Sequence, residues 1–148
     1  MNEKQKNEAR TSKDPKVLDT LAMQYGRGVQ EEVAKNPATM ERTLDWIAKN
    51  QRWLAVIKAV INHENTSINT LEWIMKERGK PPSGAAVFFG DPGLIAMQQR
   101  DATEILGLCT AALARKTMQR QQMDTRCNTC GKSLEKGSVF CNVCGARQ

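Results

Sequence analysis

The sequence predicts a mainly α-helical chain made of a short, solenoid-like body of helical repeats, a long helix and a small C-terminal β-hairpin module. Three observations predict this class. Apolar and turn residues recur at a spacing of 27 residues, a proline-opened stretch of helix-forming residues follows, and four cysteines stand in two pairs near the C-terminus. The expected divisions are a flexible N-terminus over 1–13, helical repeats over 14–78, a Gly/Pro-rich loop over 79–93, the long helix over 94–123 and the module over 124–148.

The composition is that of a folded chain of ordinary domain size. Of the 148 residues, 40% are hydrophobic and 26% are charged, which is enough apolar surface for a core. Mean hydropathy is -0.55, and no apolar run approaches the ~20 residues that a membrane helix needs. The first seventeen residues lack the apolar stretch of a secretory signal. We therefore expect a cytoplasmic protein with no membrane partner.

The net charge of +6 arises from 22 basic and 16 acidic residues. The excess is spread evenly along the chain, whereas a dedicated DNA-binding surface usually shows a basic cluster. This balance allows attraction to phosphate but does not demand it.

The repeats become visible when the segment that begins at Val33 is placed above the segment that begins at Val60. Seven positions are identical at this offset of 27 residues. The matched pairs are Val33 and Val60, Thr39 and Thr66, Thr43 and Thr70, Leu44 and Leu71, Trp46 and Trp73, Ile47 and Ile74, and Lys49 and Lys76. A partial earlier copy begins at Leu18.

Each unit is predicted to contain two short helices. A capping residue opens the first helix, at Asp14, Thr39 and Thr66. Apolar residues follow at the spacings typical of one helix face. They are Leu18/Leu21, Leu44/Ile47 and Leu71/Ile74 in the first helix, and Val29/Val33 and Val56/Val60 in the second. Because neither helix can bury its stripe alone, neighbouring units must stack, with 52–61 as the central buried helix.

The middle unit resembles the leucine-rich repeat variant family. The family unit is close to V-A-x-N-P-x-T-P-x-x-x-L-x-x-L-A-x-D, and this chain reads Val33-Ala34-Lys35-Asn36-Pro37-Ala38-Thr39-Met40, then Leu44 and Ile47-Ala48. The resemblance covers roughly 14–78. Met40 replaces the second proline of the pattern, and 49–56 carry one or two more residues than the family spacing. The resemblance implies a right-handed stack of alternating α and 3₁₀ helices, and a plain α-helical bundle is the alternative.

Aromatic and histidine side chains in the repeats have structural and functional interpretations. Trp46 and Trp73 occupy equivalent places and should pack over the seam between units, although they could form a ledge for a partner. His63 aligns with the turn residue Asn36. A lone histidine without a partnered nucleophile makes no catalytic constellation, so we expect a turn-capping or solvated role.

The long helix is predicted to start at Pro92, with Asp91 as its N-cap, and to run to about Met123. Its apolar face consists of Leu94, Met97, Ile105, Leu108, Ala112 and Leu113. Cys109 lies in this stretch and should be a buried small hydrophobic residue. In the preceding loop, the run 85–89 contains Phe88 and Phe89 and is expected to pack into the core, although it would form a docking site if exposed.

Four cysteines have the spacing of a metal site. Cys127, Cys130, Cys141 and Cys144 form C-x2-C, ten residues, then C-x2-C, and glycine follows each pair. Two facing turns of this kind place four thiolates in a tetrahedron, which Zn²⁺ prefers, and glycine supplies the positive φ of the turn. Two disulfides, four unliganded thiols and a rubredoxin-like iron site are the alternatives. We expect one Zn²⁺ per chain.

The segment 126–147 resembles the small bacterial zinc-ribbon module. That module has two C-x-x-C-G knuckles, a hairpin with a glycine turn and an aromatic residue before the third cysteine. The resemblance implies that Leu134 and Phe140 are hydrophobic plugs and that Lys136-Gly137 is the hairpin turn. A unit this small has almost no apolar core, so its fold should depend on the metal.

The chemistry of the site favours a structural role. All four ligands are thiolates, so no position is open for a substrate or an activated water. The chain shows no paired carboxylates and no Ser/His/Asp set, so we do not expect an enzyme. Our interpretation is a non-enzymatic zinc-binding adaptor with a protein partner. The alternative is a nucleic-acid-associated factor that contacts phosphate through the ribbon and through Arg115, Lys116, Arg120 and Arg126.

Overall fold

The computed structural model describes residues 3–80, 91–123, 127, 129–134 and 139–147, with side chains in 91–123 described as far as 119. The chain divides into two compact units, Met1–Ala112 and Leu113–Gln148. The described helices are α1 (Glu3–Thr11), α2 (Pro15–Gln24), α3 (Arg27–Lys35), α4 (Glu41–Asn50), α5 (Leu54–Asn62), α6 (Ile68–Arg78) and α7 (Pro92–Met123). The mainly α class is therefore confirmed. The described residues contain no β-strand, and Phe140 and Arg147 form an isolated antiparallel bridge.

The first six helices of the first unit pack as two rows. Helices α1, α3 and α5 contact one another in sequence, and α2, α4 and α6 do the same beside them. The predicted apolar stripes face the interior between the rows: Leu44, Leu71, Val33 and Val60 are completely buried. Helix α5 buries four side chains and contacts both α3 and α4, as expected for a central helix. Both helices of each repeat are α-helices. The 3₁₀ segments implied by the family resemblance are therefore absent from the described residues of the repeats.

Equivalent hydrogen bonds join successive turns at the repeat spacing. The Asn36 side-chain amide donates to the carbonyl oxygens of Ala9 and Ser12, both at 2.8 Å, while its Oδ1 accepts from the backbone N–H of Ala38 at 2.9 Å. One unit later, His63 Nδ1 accepts from the backbone N–H of Asn65 at 3.0 Å, and Nε2 lies 2.8 Å from the Asn36 carbonyl oxygen. With Nδ1 accepting, Nε2 carries the proton and donates. His63 thus makes bonds equivalent to those of Asn36 one repeat earlier, and its expected turn-capping role is confirmed.

The predicted N-caps at Thr39 and Thr66 are wrong by one residue. Helix α4 has Met40 as its N-cap, and α6 has Ser67, whose hydroxyl accepts from the backbone N–H of Thr70. The two threonines are buried, and their hydroxyls donate to carbonyl oxygens at the end of the preceding helix, Val33 (2.6 Å) and Val60 (2.5 Å). Each carbonyl oxygen also accepts from the backbone N–H of the C-cap residue, Asn36 or His63, at 3.1 Å, so the threonine hydroxyl adds a second bond at the helix end. The cap predicted at Asp14 is confirmed.

Two further threonines, which are off the apolar stripe in the sequence, are also buried. Thr43 donates to the Asp19 carboxylate at 2.7 Å, and Thr70 donates to the Asp45 carboxylate at 3.0 Å. Each bond joins neighbouring helices of the α2, α4, α6 row. The stack is thus fixed by polar bonds as well as by its apolar stripe.

The N-terminal segment differs from the expected flexible tail. Residues 3–11 form α1, whose Ala9 is fully buried against the stack and whose Arg10 pairs with Glu32 at 2.9 Å. Hydrophobic periodicity could not indicate this helix, because Ala9 is its one buried apolar residue. Carbonyl groups near the end of α1 accept from the Asn36 side chain instead.

The long helix begins as predicted, with Asp91 Oδ1 accepting from the backbone N–H groups of Gly93 and Leu94. Its buried face is shifted from the predicted one. The buried residues are Ala102, Ile105, Cys109 and Ala112, whereas Leu94 and Met97 are exposed. Lys58 of α5 forms an ion pair with Glu104. Gly79 lies so close to the Leu106 side chain that a Cβ there would meet it at 2.6 Å.

Other predictions have mixed outcomes. Trp46 and Trp73 are half-buried, in agreement with packing over the seam rather than full exposure. The apolar run that contains Phe88 and Phe89, and the predicted hairpin turn at 136–137, lie outside the described residues.

The packing predicts how strongly Leu71 contributes to stability. Leu71→Ala should lower the free energy of unfolding by about 2–5 kcal/mol, because it removes a fully buried side chain. The matched control is Glu72→Ala at the adjacent exposed position, which should change it by less than about 0.5 kcal/mol. Urea unfolding followed by circular dichroism measures both. Equal effects at the two positions would contradict the stacked core.

The hydrogen bonds of His63 predict a selective rescue. His63→Leu removes the Nε2 bond to the Asn36 carbonyl oxygen, which keeps its bond from the backbone N–H of Thr39, and takes away the Nδ1 acceptor of the Asn65 N–H. Each lost hydrogen bond should lower the free energy of unfolding by about 0.5–1.5 kcal/mol. His63→Asn should lower the free energy of unfolding much less, because an asparagine side chain makes the equivalent bonds at Asn36, one repeat earlier. Urea midpoints should therefore rank wild type, then Asn, then Leu. A leucine variant as stable as the asparagine variant would show that these bonds contribute nothing.

Candidate metal centre

Two copies of one turn position the four cysteines. In the first, the backbone N–H of Gly131 donates to the Cys127 carbonyl oxygen at 2.8 Å, and in the second Gly145 donates to Cys141 at 2.8 Å. The two glycines have φ of 70° and 72°, in the left-handed region that favours glycine. Thus the glycine after each cysteine pair has the predicted conformation, and it closes the turn.

Backbone N–H groups point at the sulfur atoms inside each turn. Thr129 N–H donates to Cys127 Sγ at 3.4 Å, and Val143 N–H donates to Cys141 Sγ at 3.4 Å. Such bonds stabilise the thiolate form, which is the form that binds metal. The local fold therefore prepares the first cysteine of each pair for ionisation.

The structure brings all four predicted ligands together. Their Sγ atoms all lie within 4.8 Å of one another. Cys127 Sγ is 3.5 Å from Cys144 Sγ, and Cys130 Sγ is 3.6 Å from Cys141 Sγ. A zinc ion with Zn–S bonds of about 2.3 Å would hold tetrahedral sulfur atoms about 3.8 Å apart, so the residues present fit the ion. The same distances are far longer than the ~2.05 Å of a disulfide bond, and none of the five cysteines is in a disulfide.

The electrostatics of the cluster also favour a cation. The pKa of Cys127 is lowered to about 6, chiefly by the backbone N–H of Cys130, and the pKa of Cys141 is lowered chiefly by the backbone N–H of Cys144. At Cys144 the backbone N–H of Ala146 also acts to lower the pKa. The neighbouring sulfur atoms and desolvation together outweigh it and raise the pKa to about 12. Four thiolates this close repel one another, and a divalent cation removes that repulsion.

The surface around the cluster differs from the expected plug. Cys127 and Cys141 are buried, but Phe140 is 60% exposed, Val139 52% and Val143 58%. Phe140 is therefore not a buried plug, because its backbone pairs with Arg147 while its side chain faces outward. Leu134 is half-buried. We name Val139, Phe140 and Val143 the knuckle patch.

The knuckle patch was not predicted from the sequence, although the sequence contains a signal for it. The first turn reads Cys-Asn-Thr-Cys and the second Cys-Asn-Val-Cys, so an apolar residue replaces a polar one at an equivalent exposed position. Of the basic residues that the nucleic-acid alternative invoked, Arg115 is exposed and Lys116 half-buried. The side chains of Arg120 and Arg126 lie outside the described residues.

Cys109 lies outside this cluster, as expected. It is fully buried in the apolar face of α7, and desolvation raises the pKa of its thiol to about 11. A buried thiol with a raised pKa is a poor nucleophile and a poor metal ligand. Its predicted role as a small hydrophobic residue is confirmed.

Comparison of the chain with protein-family models, with curated proteins and with solved structures gives no match. The geometry of the four thiols is thus the observation on which a functional assignment can rest. Among the helices that the structure describes, none has the length and apolar character to cross a bilayer.

The four clustered cysteines predict one zinc ion per chain, and the fifth cysteine, Cys109, provides a control. Cys144→Ser should sharply lower the zinc content of the purified protein, because it removes one of four converging sulfur atoms. Cys109→Ala removes a cysteine that lies outside the cluster and should leave the zinc content unchanged. Elemental analysis of both variants against wild type measures this. A red, iron-containing protein as isolated, or equal losses in both variants, would contradict a zinc site at these four residues.

Proposed function

We propose that this protein is a non-enzymatic, cytoplasmic zinc-binding adaptor, in which a helical-repeat body of the leucine-rich repeat variant kind carries a C-terminal zinc ribbon. The observation that carries the proposal is the convergence of four cysteine sulfur atoms within 4.8 Å. Cys127, Cys130, Cys141 and Cys144 would be its ligands. A reducing compartment suits them, because zinc needs thiolates rather than disulfides.

The donor set favours a structural ion over a catalytic one. Bound zinc would supply charge neutralisation and a rigid tetrahedral joint between the two turns. The four sulfur atoms fill its coordination, so the chain's residues leave no position for a substrate. What these residues do is hold the two turns in register and fix the backbone on which the knuckle patch stands.

The knuckle patch supports protein docking. Three apolar side chains, each more than half exposed, stand on a unit too small to bury them itself. Because each side chain is little more than half exposed, burying it against a partner stabilises a complex by roughly 1–2 kcal/mol, and association itself costs roughly 4–15 kcal/mol. The patch alone therefore supports weak binding, and a second surface on the same chain is needed for a stable complex. A two-surface protein of this kind is an adaptor.

The test is affinity capture from the native host with the zinc-loaded full chain as bait. A Phe140→Ser, Val143→Thr variant removes most of the knuckle patch, and Val143→Thr copies the residue at the equivalent position of the first turn. We expect this variant to keep its zinc and to lose the captured protein. The matched control is Met118→Ser, which removes an exposed apolar side chain outside the patch and should capture normally.

Chelation provides the second arm of this test. Removing zinc should abolish capture while the helical circular dichroism signal stays nearly intact, because the core of the first unit uses none of the four ligands. Capture that survives both chelation and the double variant would overturn docking at the knuckle. Failure of the wild-type protein to capture anything would overturn the adaptor role.

A further inference from the structure

Two arginine–tryptophan pairs lie on the helical body. The guanidinium carbon of Arg27 is 4.5 Å from the ring centroid of Trp53, and that of Arg78 is 5.4 Å from the ring centroid of Trp73. Both distances are within the range of a cation–π contact. Trp53 is 53% exposed, which is unusual for so large an apolar side chain.

The two pairs belong to one region of the surface. Arg78, at the end of α6, donates from Nη2 to the Lys49 carbonyl oxygen in the last turn of α4, at 3.3 Å. The chain then continues through Arg52 to Trp53 at the start of α5. Burial, and then the charge of Arg52, lower the pKa of Arg78, which agrees with the closeness of these two arginines. We name Arg27, Arg52, Trp53, Trp73 and Arg78 the Arg–Trp surface.

Repeat geometry explains why these residues meet. Arg27 and Trp53 are about one repeat apart, as are Arg52 and Arg78. In a stack, residues one repeat apart lie on the same edge. The cationic residues are therefore dispersed in the sequence and adjacent in the fold.

The three arginines of this surface form no salt bridge within the described part of the chain, and the Glu77 carboxylate that acts on Arg78 to raise its pKa is outweighed by burial and Arg52. Several other cations of the body have carboxylate partners: Arg10 pairs with Glu32, Arg42 with Asp19 and Lys49 with Asp45. By contrast, no described carboxylate oxygen lies within 4.0 Å of a side-chain nitrogen of Arg27, Arg52 or Arg78. Nε of Arg78 is also buried without a hydrogen-bond partner. An anion would complement the charge of this surface.

We propose that the Arg–Trp surface binds single-stranded nucleic acid, with an unpaired base stacked on the Trp53 indole and backbone phosphates paired with Arg27 and Arg52. A guanidinium presents a planar fork that matches phosphate, and an exposed indole accepts any base. An acidic peptide would use the guanidinium groups but has no need of the indole. A duplex would keep its bases paired and leave the indole unused.

Trp53 is placed for this role before any ligand arrives. It is the N-cap of α5, and its carbonyl oxygen accepts from the backbone N–H of Ile57 at 3.0 Å. Arg27 lies over the ring and restricts its orientation. Binding therefore costs little ordering of the protein, because the helix start already fixes the backbone that carries the indole.

The experiment uses the full, zinc-loaded chain and fluorescein-labelled oligo(dT), with anisotropy and tryptophan quenching as readouts. Wild type should bind, quench, and weaken steeply as salt rises. Trp53→Ala should weaken binding about tenfold, as expected for loss of one stacked base, and Trp53→Phe should recover part of that loss.

Charge-reversal variants separate a site from general attraction. Arg52→Glu should nearly abolish binding, whereas Arg100→Glu, an exposed position on α7 with the same change in net charge, should change it less than about twofold. The knuckle-patch double variant should bind oligo(dT) like wild type, so this result is independent of the adaptor proposal. Circular dichroism and zinc content confirm that each variant is folded.

Several outcomes would overturn the proposal. Equal losses in the two charge-reversal variants would show general electrostatic attraction. An unchanged affinity in Trp53→Ala, or poly-glutamate competing as well as oligo(dT), would show an acidic-peptide site. Equal affinity for duplex of the same sequence would exclude stacking on the indole, and no binding at low salt would exclude the site altogether.

Discussion

The helical body depends on one constraint: a helix of nine to eleven residues with a single apolar stripe cannot exist alone. Stacking buries the stripe, but it also buries the turns between helices, whose backbone groups then need partners. Asn36 and His63 meet that need, each donating to a carbonyl group 27 residues earlier. The apolar stripe therefore drives stacking, and the turn side chains set the distance and register at which stacking occurs.

Apolar residues that repeat along a helix could be predicted from the sequence, whereas polar bonds between distant residues could not. Leu44 and Leu71 were predictable as core residues because a helical stripe repeats in one dimension. Thr43 was not, because its burial depends on Asp19, which lies 24 residues away and accepts a hydrogen bond from its hydroxyl. Similarly α1 has no apolar stripe, and its docking relies on the side chains of Asn36 and Glu32. Bonds between distant polar residues carry no periodicity, so single-sequence reasoning does not detect them.

The candidate metal centre was more predictable because its chemistry is local. Each turn contains both sulfur atoms, the glycine with positive φ and the N–H groups that point at sulfur, all within five residues. Only the packing of the two turns against each other depends on residues distant in the sequence. Two cysteine pairs at this spacing are typical of a zinc site, so that packing could also be predicted. What escaped prediction was exposure: Phe140 looks like a core residue by type, yet its unit has no interior large enough to hold it.

The charged residues also have a different distribution in the fold from the one they have along the sequence. An even spread of the +6 charge along the chain argues against a basic cluster, but the stack redistributes it. Asp19 and Asp45 accept from Thr43 and Thr70 between helices and also pair with nearby cations, so these carboxylates are committed to the stack. Arginines on the edge where α4 ends and α5 begins lie at repeat spacing and gain no such partners. A positively charged surface can therefore form where the acidic residues are bonded elsewhere in the stack, without any basic run in the sequence.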